Sequence, residues 1–131
     1  MKYKVMEIEF FSSVPTKSET TDIEKTVLSI EGGTIFGSNM VDEFLIAMKT
    51  ITAGGIDKIV IDMSRVDALN SNEIGAVINL TKLVRVTAGD LVLYNVNRQV
   101  EQIIAPLDLN RFLKIFDDKK EVVSHFRYIK V

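Results

Sequence analysis

Two short apolar segments, KIVIDM (58–63) and LVLYNV (91–96), restrict the fold of this chain more than any other feature of its sequence. Each is nearly continuous in apolar residues, which is typical of a strand that is covered on both faces. Each is followed by a segment in which apolar residues recur with helical spacing. Because strands that alternate with helices favour right-handed crossovers, they form a largely parallel sheet. The sequence therefore predicts an α/β fold.

The remaining segments give the order β-β-α-β-α-β-α-β-α, with about four helices and a last strand at LKIF (113–116). Alternating apolar and polar residues predict a first strand over 4–11, and TVLSIE (26–31) predicts a second. Since no helix separates these two strands, we expect an antiparallel N-terminal edge on an otherwise parallel sheet. We interpret residues 1–25 as a strand and polar loop extension, and 26–131 as the core of a single domain.

Helix boundaries follow from capping residues. Ser38 or Asn39 is expected to cap the first helix, Asn97 the third, and Asp117 or Asp118 the last. Asn70 is expected to cap the second helix together with Glu73, in a variant of the capping box. Ser71 then occupies the first helical position, where its hydroxyl is not needed for the cap.

Composition excludes several classes of protein. The chain has no cysteine and one histidine, so neither disulfides nor thiolate or multi-histidine metal sites are expected. The net charge is −2 without a basic cluster, which argues against a nucleic-acid partner. No apolar segment approaches the ~20 residues of a membrane span, and the first residues lack the apolar core of a secretory signal. We predict a cytoplasmic protein without a membrane or cofactor requirement.

Two loops follow strands at the expected ligand-binding edge of the sheet, GGTIFGSN (32–39) and SRVDALNSNE (64–73). The glycines of the first loop fit neither GxGxxG nor GxxxxGK[ST], so a phosphate-binding loop is not indicated. In the second loop, Ser71 is either a residue suited to a first helical turn or an exposed hydroxyl with a function. Local sequence leaves both interpretations open.

A longer pattern supports a family assignment. The segments IDMS (61–64), NSNEIG (70–75), GDLVL (89–93), NRQV (97–100) and 109–112 follow one another as in the STAS domain. The chain resembles this domain from about residue 26 to near its C-terminus. STAS domains occur in anti-sigma factor antagonists and in the cytoplasmic tails of sulfate transporters.

The resemblance implies a regulatory binding module and not an enzyme. It aligns Ser71 with the serine that a partner kinase phosphorylates in anti-sigma factor antagonists. The implied partners are an anti-sigma factor with serine kinase activity and a phosphatase that resets the switch. The implied partner-binding residues lie in the two loops and at the helix start: Thr34, Phe36, Gly37, Ser38, Asn70, Asn72, Glu73 and Gly75. Phe36, between small residues, is expected to be exposed or to pack locally.

The sequence departs from the family pattern next to Ser71. Asn70 replaces an acidic residue, Asn72 a second serine and Glu73 a glycine. Glu73 is expected to place a negative charge within one turn of any phosphate on Ser71, and like charges repel.

The sequence leaves two alternatives open. The first is an interaction scaffold of the same fold that is never phosphorylated and associates with itself, for example as a homodimer. The second is a nucleotide-binding protein or small enzyme in which Asp62, Asp67 and Glu73 form a carboxylate cluster for a magnesium ion. No nucleophile–base pair accompanies these carboxylates.

Overall fold

Four parallel strands lie side by side in the order in which they occur along the chain. In this computed structural model the described residues are 5–6, 27–37 and 39–128. The four strands are β2 (Val27–Glu31), β3 (Lys58–Asp62), β4 (Asp90–Tyr94) and β5 (Lys114–Phe116). The two apolar segments that predicted buried strands thus form the centre of the sheet.

In the described part of the chain, four α-helices follow the four parallel strands, one after each. They are α1 (Val41–Ala53), α2 (Ser71–Val86), α3 (Arg98–Ile104) and α4 (Lys119–Tyr128). The first three helices lie on the same face of the sheet, because all three pack into one hydrophobic core, as is expected for right-handed crossovers between strands in sequential order. The prediction of an α/β fold with four helices and a mostly parallel sheet is confirmed. Within the described part of the chain, no helix is long and apolar enough to cross a membrane.

A two-residue strand, β1 (Val5–Met6), pairs antiparallel with β2. The rest of the strand predicted over 4–11, and the whole loop predicted over 12–25, lie outside the described residues. Two residues do not establish the predicted strand, so the antiparallel edge over 4–11 stays a prediction.

The side chains of the sheet alternate between two hydrophobic cores. The larger core joins one face of the sheet to α1, α2 and α3, and it includes Ile61, Phe44 and Val77. The smaller core joins the other face to α4, through Val60 and Val92 of the sheet and through Val122 and Phe126 of α4. A central strand buried on both faces requires nearly continuous apolar residues, as in the sequence.

Two helix starts test the capping predictions. Asp118 accepts a hydrogen bond from the Lys120 amide at 2.9 Å, so it caps α4 as predicted. The predicted cap of α1 by Asn39 is wrong: α1 begins after Met40, which makes no side-chain cap. Asn39 instead has a positive φ of 59°, a conformation that asparagine tolerates in turns. Ser38, the other predicted cap, lies outside the described residues.

A buried polar cluster lies at the edge of the sheet where β4 begins. The Asp90 carboxylate is bonded by Arg85 Nε and by His125 Nε2, each at 2.8 Å. Burial alone raises the pKa of the Asp90 carboxyl, but the hydrogen bonds from His125 and Arg85, with the Arg85 charge, outweigh it. The pKa of Asp90 therefore lies below its ordinary value of 3.8. Through this carboxylate, α2 and α4 are attached to the same strand.

Candidate functional site

The start of α2 has the predicted capping box. The Asn70 side chain accepts a hydrogen bond from the Glu73 amide at 2.8 Å, and the Glu73 carboxylate accepts one from the Asn70 amide at 3.0 Å. Two of the free amides at the helix start are therefore satisfied by side chains of the same turn. The helix begins at Ser71, as the sequence predicts.

Ser71 is exposed at the first helical position, and its hydroxyl is not part of the capping box. Asn72 is also exposed, and Gly75 is half-buried. Residues three and four apart on a helix are neighbours on its surface, so Gly75 adjoins both Ser71 and Asn72. Apart from its two chain neighbours and the backbone of its own helix, no heavy atom lies within 4 Å of the position that a Cβ on Gly75 would take. The start of α2 thus presents a small, uncharged and open surface.

Glu73 connects this surface to the loop after β2. Its second carboxylate oxygen accepts a hydrogen bond from the Gly37 amide at 2.7 Å, while the first is bonded to Asn70. Glu73 is only 3% exposed. Its predicted role as a direct partner contact is therefore corrected, because the carboxylate faces inward and is occupied by two backbone amides.

The loop after β2 is a tight turn. A 3-10 helix covers Gly32–Thr34, and Glu31 accepts a hydrogen bond from the Gly33 amide at its start. The half-buried Thr34 donates its hydroxyl to the Glu31 carbonyl at 2.8 Å. Gly37 is exposed and has a φ of 85°, which favours glycine at this position. Of the predicted loop contacts, Gly37 lies on the surface, and Ser38 lies outside the described residues.

Of the two expectations for Phe36, exposure is wrong and local packing is confirmed. Its side chain is 6% exposed, and its ring meets the Phe44 ring edge-on, with the centroids 6.4 Å apart. The turn bends the chain back over the core, because the Ile35 and Phe36 amides both bond to the Gly32 carbonyl. Phe36 therefore belongs to the larger core and offers no side chain to a partner.

A second contact between loops was not predicted from the sequence. The Asn97 side chain donates to the Val66 carbonyl at 2.7 Å and lies 3.3 Å from an Asp67 carboxylate oxygen. Its oxygen accepts the Val100 amide at 3.0 Å, so it also caps α3, as predicted. The cap was visible in the sequence, whereas the long-range donor bond depends on the parallel register of β3 and β4.

The carboxylate cluster of the magnesium-binding alternative does not form. Asp62 accepts the Ser64 amide, Asp67 lies against Asn97, and Glu73 is occupied by Gly37 and Asn70. Across the described residues, no group of three or more acidic, histidine or cysteine side chains is arranged to hold a metal ion.

Comparisons with known proteins agree with this architecture. The sequence model of the STAS domain matches residues 13–122. A Thermotoga maritima protein, described as a candidate anti-sigma factor antagonist, is 29% identical over 100 residues, which are 76% of this chain and 82% of that protein. A Thermotoga neapolitana homologue is 30% identical over 97 residues, covering 74% of this chain and 80% of the homologue.

Solved structures share the fold. The anti-sigma factor antagonist SpoIIAA in its unphosphorylated form has a TM-score of 0.67 at 16% identity, covering 99% of this chain and 100% of its own. Bacillus SpoIIAA in its phosphorylated form has a TM-score of 0.60 at 14% identity, covering 92% and 96%. The STAS match extends over most of the chain, and the superpositions cover nearly all of it. The chain belongs to the STAS domain family.

Proposed function

We propose that this chain is an anti-sigma factor antagonist that docks on an anti-sigma factor with serine kinase activity. Docking uses the start of α2 and the exposed end, at Gly37, of the turn that follows β2. By sequestering the anti-sigma factor, the unphosphorylated protein releases a sigma factor. Phosphorylation of Ser71 ends the interaction, a phosphatase restores it, and the cycle takes place in the cytoplasm.

The observation that carries this proposal is the exposed hydroxyl of Ser71 beside a helix cap that does not use it. A phosphate at this place adds about −1.5 to −2 charges to a surface whose other exposed residues, Asn70 and Asn72, are neutral. Its charge is tolerated within this chain because a helix N-terminus favours anions. The same charge opposes a partner surface that fits the uncharged form. The protein is thus the substrate of the switch, and the phosphoryl transfer belongs to the kinase.

Intact-mass spectrometry after incubation with ATP and the partner kinase tests the proposal. We expect a gain of one phosphate in the wild type and in Ser64→Ala, a control at an exposed serine of the neighbouring loop. We expect no gain in Ser71→Ala. A phosphate that persists in Ser71→Ala would refute the assignment of the acceptor.

An unswitched interaction scaffold is the second candidate, and the changed residues around Ser71 favour it. Asn72 and Glu73 replace the serine and the glycine of the family pattern. A kinase that recognises that pattern would therefore contact different side chains in this chain. A stable complex with the kinase that never yields a phosphorylated product would support the scaffold. Self-association measured by light scattering would identify its homodimer.

A further inference from the structure

Glu73 is the least expected residue at the start of α2, and it makes the longest-range contact there. Its carboxylate lies between two backbone amides that are far apart in sequence, Asn70 at 3.0 Å and Gly37 at 2.7 Å. The side chain is 3% exposed. An ionised carboxylate buried to this degree is destabilising unless charged hydrogen bonds compensate for the lost water, and here each oxygen has one.

The two hydrogen bonds have different consequences. The bond to Asn70 is local and completes the capping box of α2. The bond to Gly37 is not needed by the helix, and it fixes the end of the 32–37 turn against the helix start. Gly37 is exposed and has a left-handed backbone, and beyond its two chain neighbours no heavy atom lies within 4 Å of the position of a Cβ. In the described structure, Glu73 supplies the hydrogen-bond acceptor for its amide.

We propose that Glu73 is a positioning residue that holds the 32–37 turn against the start of α2, so that a partner meets both segments as one preformed surface. The consequence for binding rests on the function proposed above, whereas the positioning itself does not. The negative charge that replaces the family's glycine therefore faces the turn and is hidden from the partner. A preformed surface binds more tightly because the turn need not be ordered on association.

Glu73→Gln separates the two hydrogen bonds. Glutamine retains an oxygen that can accept the Asn70 amide, as glutamine does in capping boxes. The side-chain NH2 group of the glutamine then faces the backbone N–H of Gly37. Because both groups are donors, the hydrogen bond to the turn is lost. Glu101→Gln is the matched control, because Glu101 is an exposed carboxylate in the first turn of α3.

Amide hydrogen exchange, followed by NMR on the free protein, tests the positioning. In Glu73→Gln we expect the Gly37 amide to exchange about tenfold faster, in line with the loss of a hydrogen bond to a charged group. The Val92 amide in the centre of the sheet should keep its wild-type rate. A role in global stability alone would accelerate both amides, and that result, or an unchanged Gly37 rate, would overturn the proposal. Glu101→Gln should change neither rate.

Titration of each variant with the partner kinase tests the consequence for binding. We expect Glu73→Gln to bind about tenfold more weakly than the wild type, and Glu101→Gln to bind equally well. Faster Gly37 exchange with unchanged affinity would overturn the claim that the turn and the helix form one surface. If the wild type itself does not bind the kinase, the proposed function fails, and the Gly37 exchange rate alone then decides the positioning role of Glu73.

Discussion

His125 Nε2 lies 2.8 Å from a carboxylate oxygen of Asp90, and this contact attaches the last helix to the central sheet. The ring of His125 also packs against Phe116 and Phe126, with centroids 5.5 and 5.1 Å apart. Because an ionised carboxylate can only accept hydrogen bonds, the Nε2 atom carries the proton. Arg85 bonds the other carboxylate oxygen and also donates to the Phe112 carbonyl at 2.7 Å. Asp90 is thus the centre of a network distant in the sequence from the candidate site.

The network makes stability depend on pH in a defined direction. The pKa of Asp90 is below its unfolded value, so its contribution is complete above that value and is lost as the pH falls through the folded pKa. We expect Asp90→Asn to lower the free energy of unfolding by about 2 kcal/mol at neutral pH. The difference from the wild type should shrink below roughly pH 4.

Urea unfolding at a series of pH values measures this difference. Asp117→Asn, which removes an exposed carboxylate, serves as the control and should leave the neutral-pH value within about 0.5 kcal/mol of the wild type. A pH-independent difference between wild type and Asp90→Asn would contradict the assigned pKa direction.

Phe36 is buried against Phe44, so truncating its side chain should lower the stability of the protein. Phe36→Ala should cost about 3 kcal/mol of unfolding free energy through the cavity it leaves, and Phe36→Leu roughly half as much. Ile46→Ala, at a side chain that is 66% exposed on α1, should change stability by no more than about 0.5 kcal/mol. Thermal or urea unfolding distinguishes these cases. A Phe36→Ala variant as stable as Ile46→Ala would contradict the burial of the Phe36 side chain.

The sequence predicted those features that depend on local periodicity and capping. Continuous apolar segments identified β3 and β4, and the Asn70–Glu73 spacing identified the start of α2. The sequence could not decide whether Phe36 is exposed or packs locally, because its inward direction depends on a 3-10 turn with no distinctive sequence pattern.

The role of Glu73 was predicted only in part. Its local half, the capping box, follows from a spacing of three residues. Its other half, the bond to Gly37, spans 36 residues and exists only because parallel pairing of β2 with β3 brings two loops to one edge. For the same physical reason, the bond from Asn97 to Val66 could not be predicted from the sequence. Long-range contacts between loops require the register of the sheet, which local periodicity does not specify.

Gly75 allows stability and binding to be separated. It lies inside α2, and a Cβ there meets no heavy atom within 4 Å other than those of its chain neighbours and of the helix backbone. Gly75→Ala should therefore raise the free energy of unfolding by about 0.5–1 kcal/mol through helix propensity. If the start of α2 docks on the kinase, the added methyl group should weaken binding at the same time.

Calorimetry of the free protein and titration with the kinase measure the two effects. Asn79→Ala is the control, because it is an exposed position one turn further along α2. We expect it to be stabilised slightly and to bind like the wild type. Unchanged binding by Gly75→Ala would remove this residue from the proposed docking surface.

The side-chain oxygen of Asn97 caps α3, whereas its side-chain nitrogen donates to the 64–70 loop. Asn97→Asp keeps an oxygen that caps α3 but loses the N–H that donates to the Val66 carbonyl. It also places a second carboxylate beside Asp67, where the asparagine nitrogen lies 3.3 Å from a carboxylate oxygen. We expect a loss of about 1–2 kcal/mol of unfolding free energy, with faster amide exchange in the 64–70 loop and little change in α3.

Adding Asp67→Asn to Asn97→Asp separates the two causes. The second substitution removes the repulsion between carboxylates but does not restore the donor to Val66. Stability should therefore recover only in part, and exchange in the 64–70 loop should remain faster than in the wild type. Full recovery would mean that charge repulsion alone explains the loss. The hydrogen bond from Asn97 to Val66 would then contribute nothing to holding this loop beside α3.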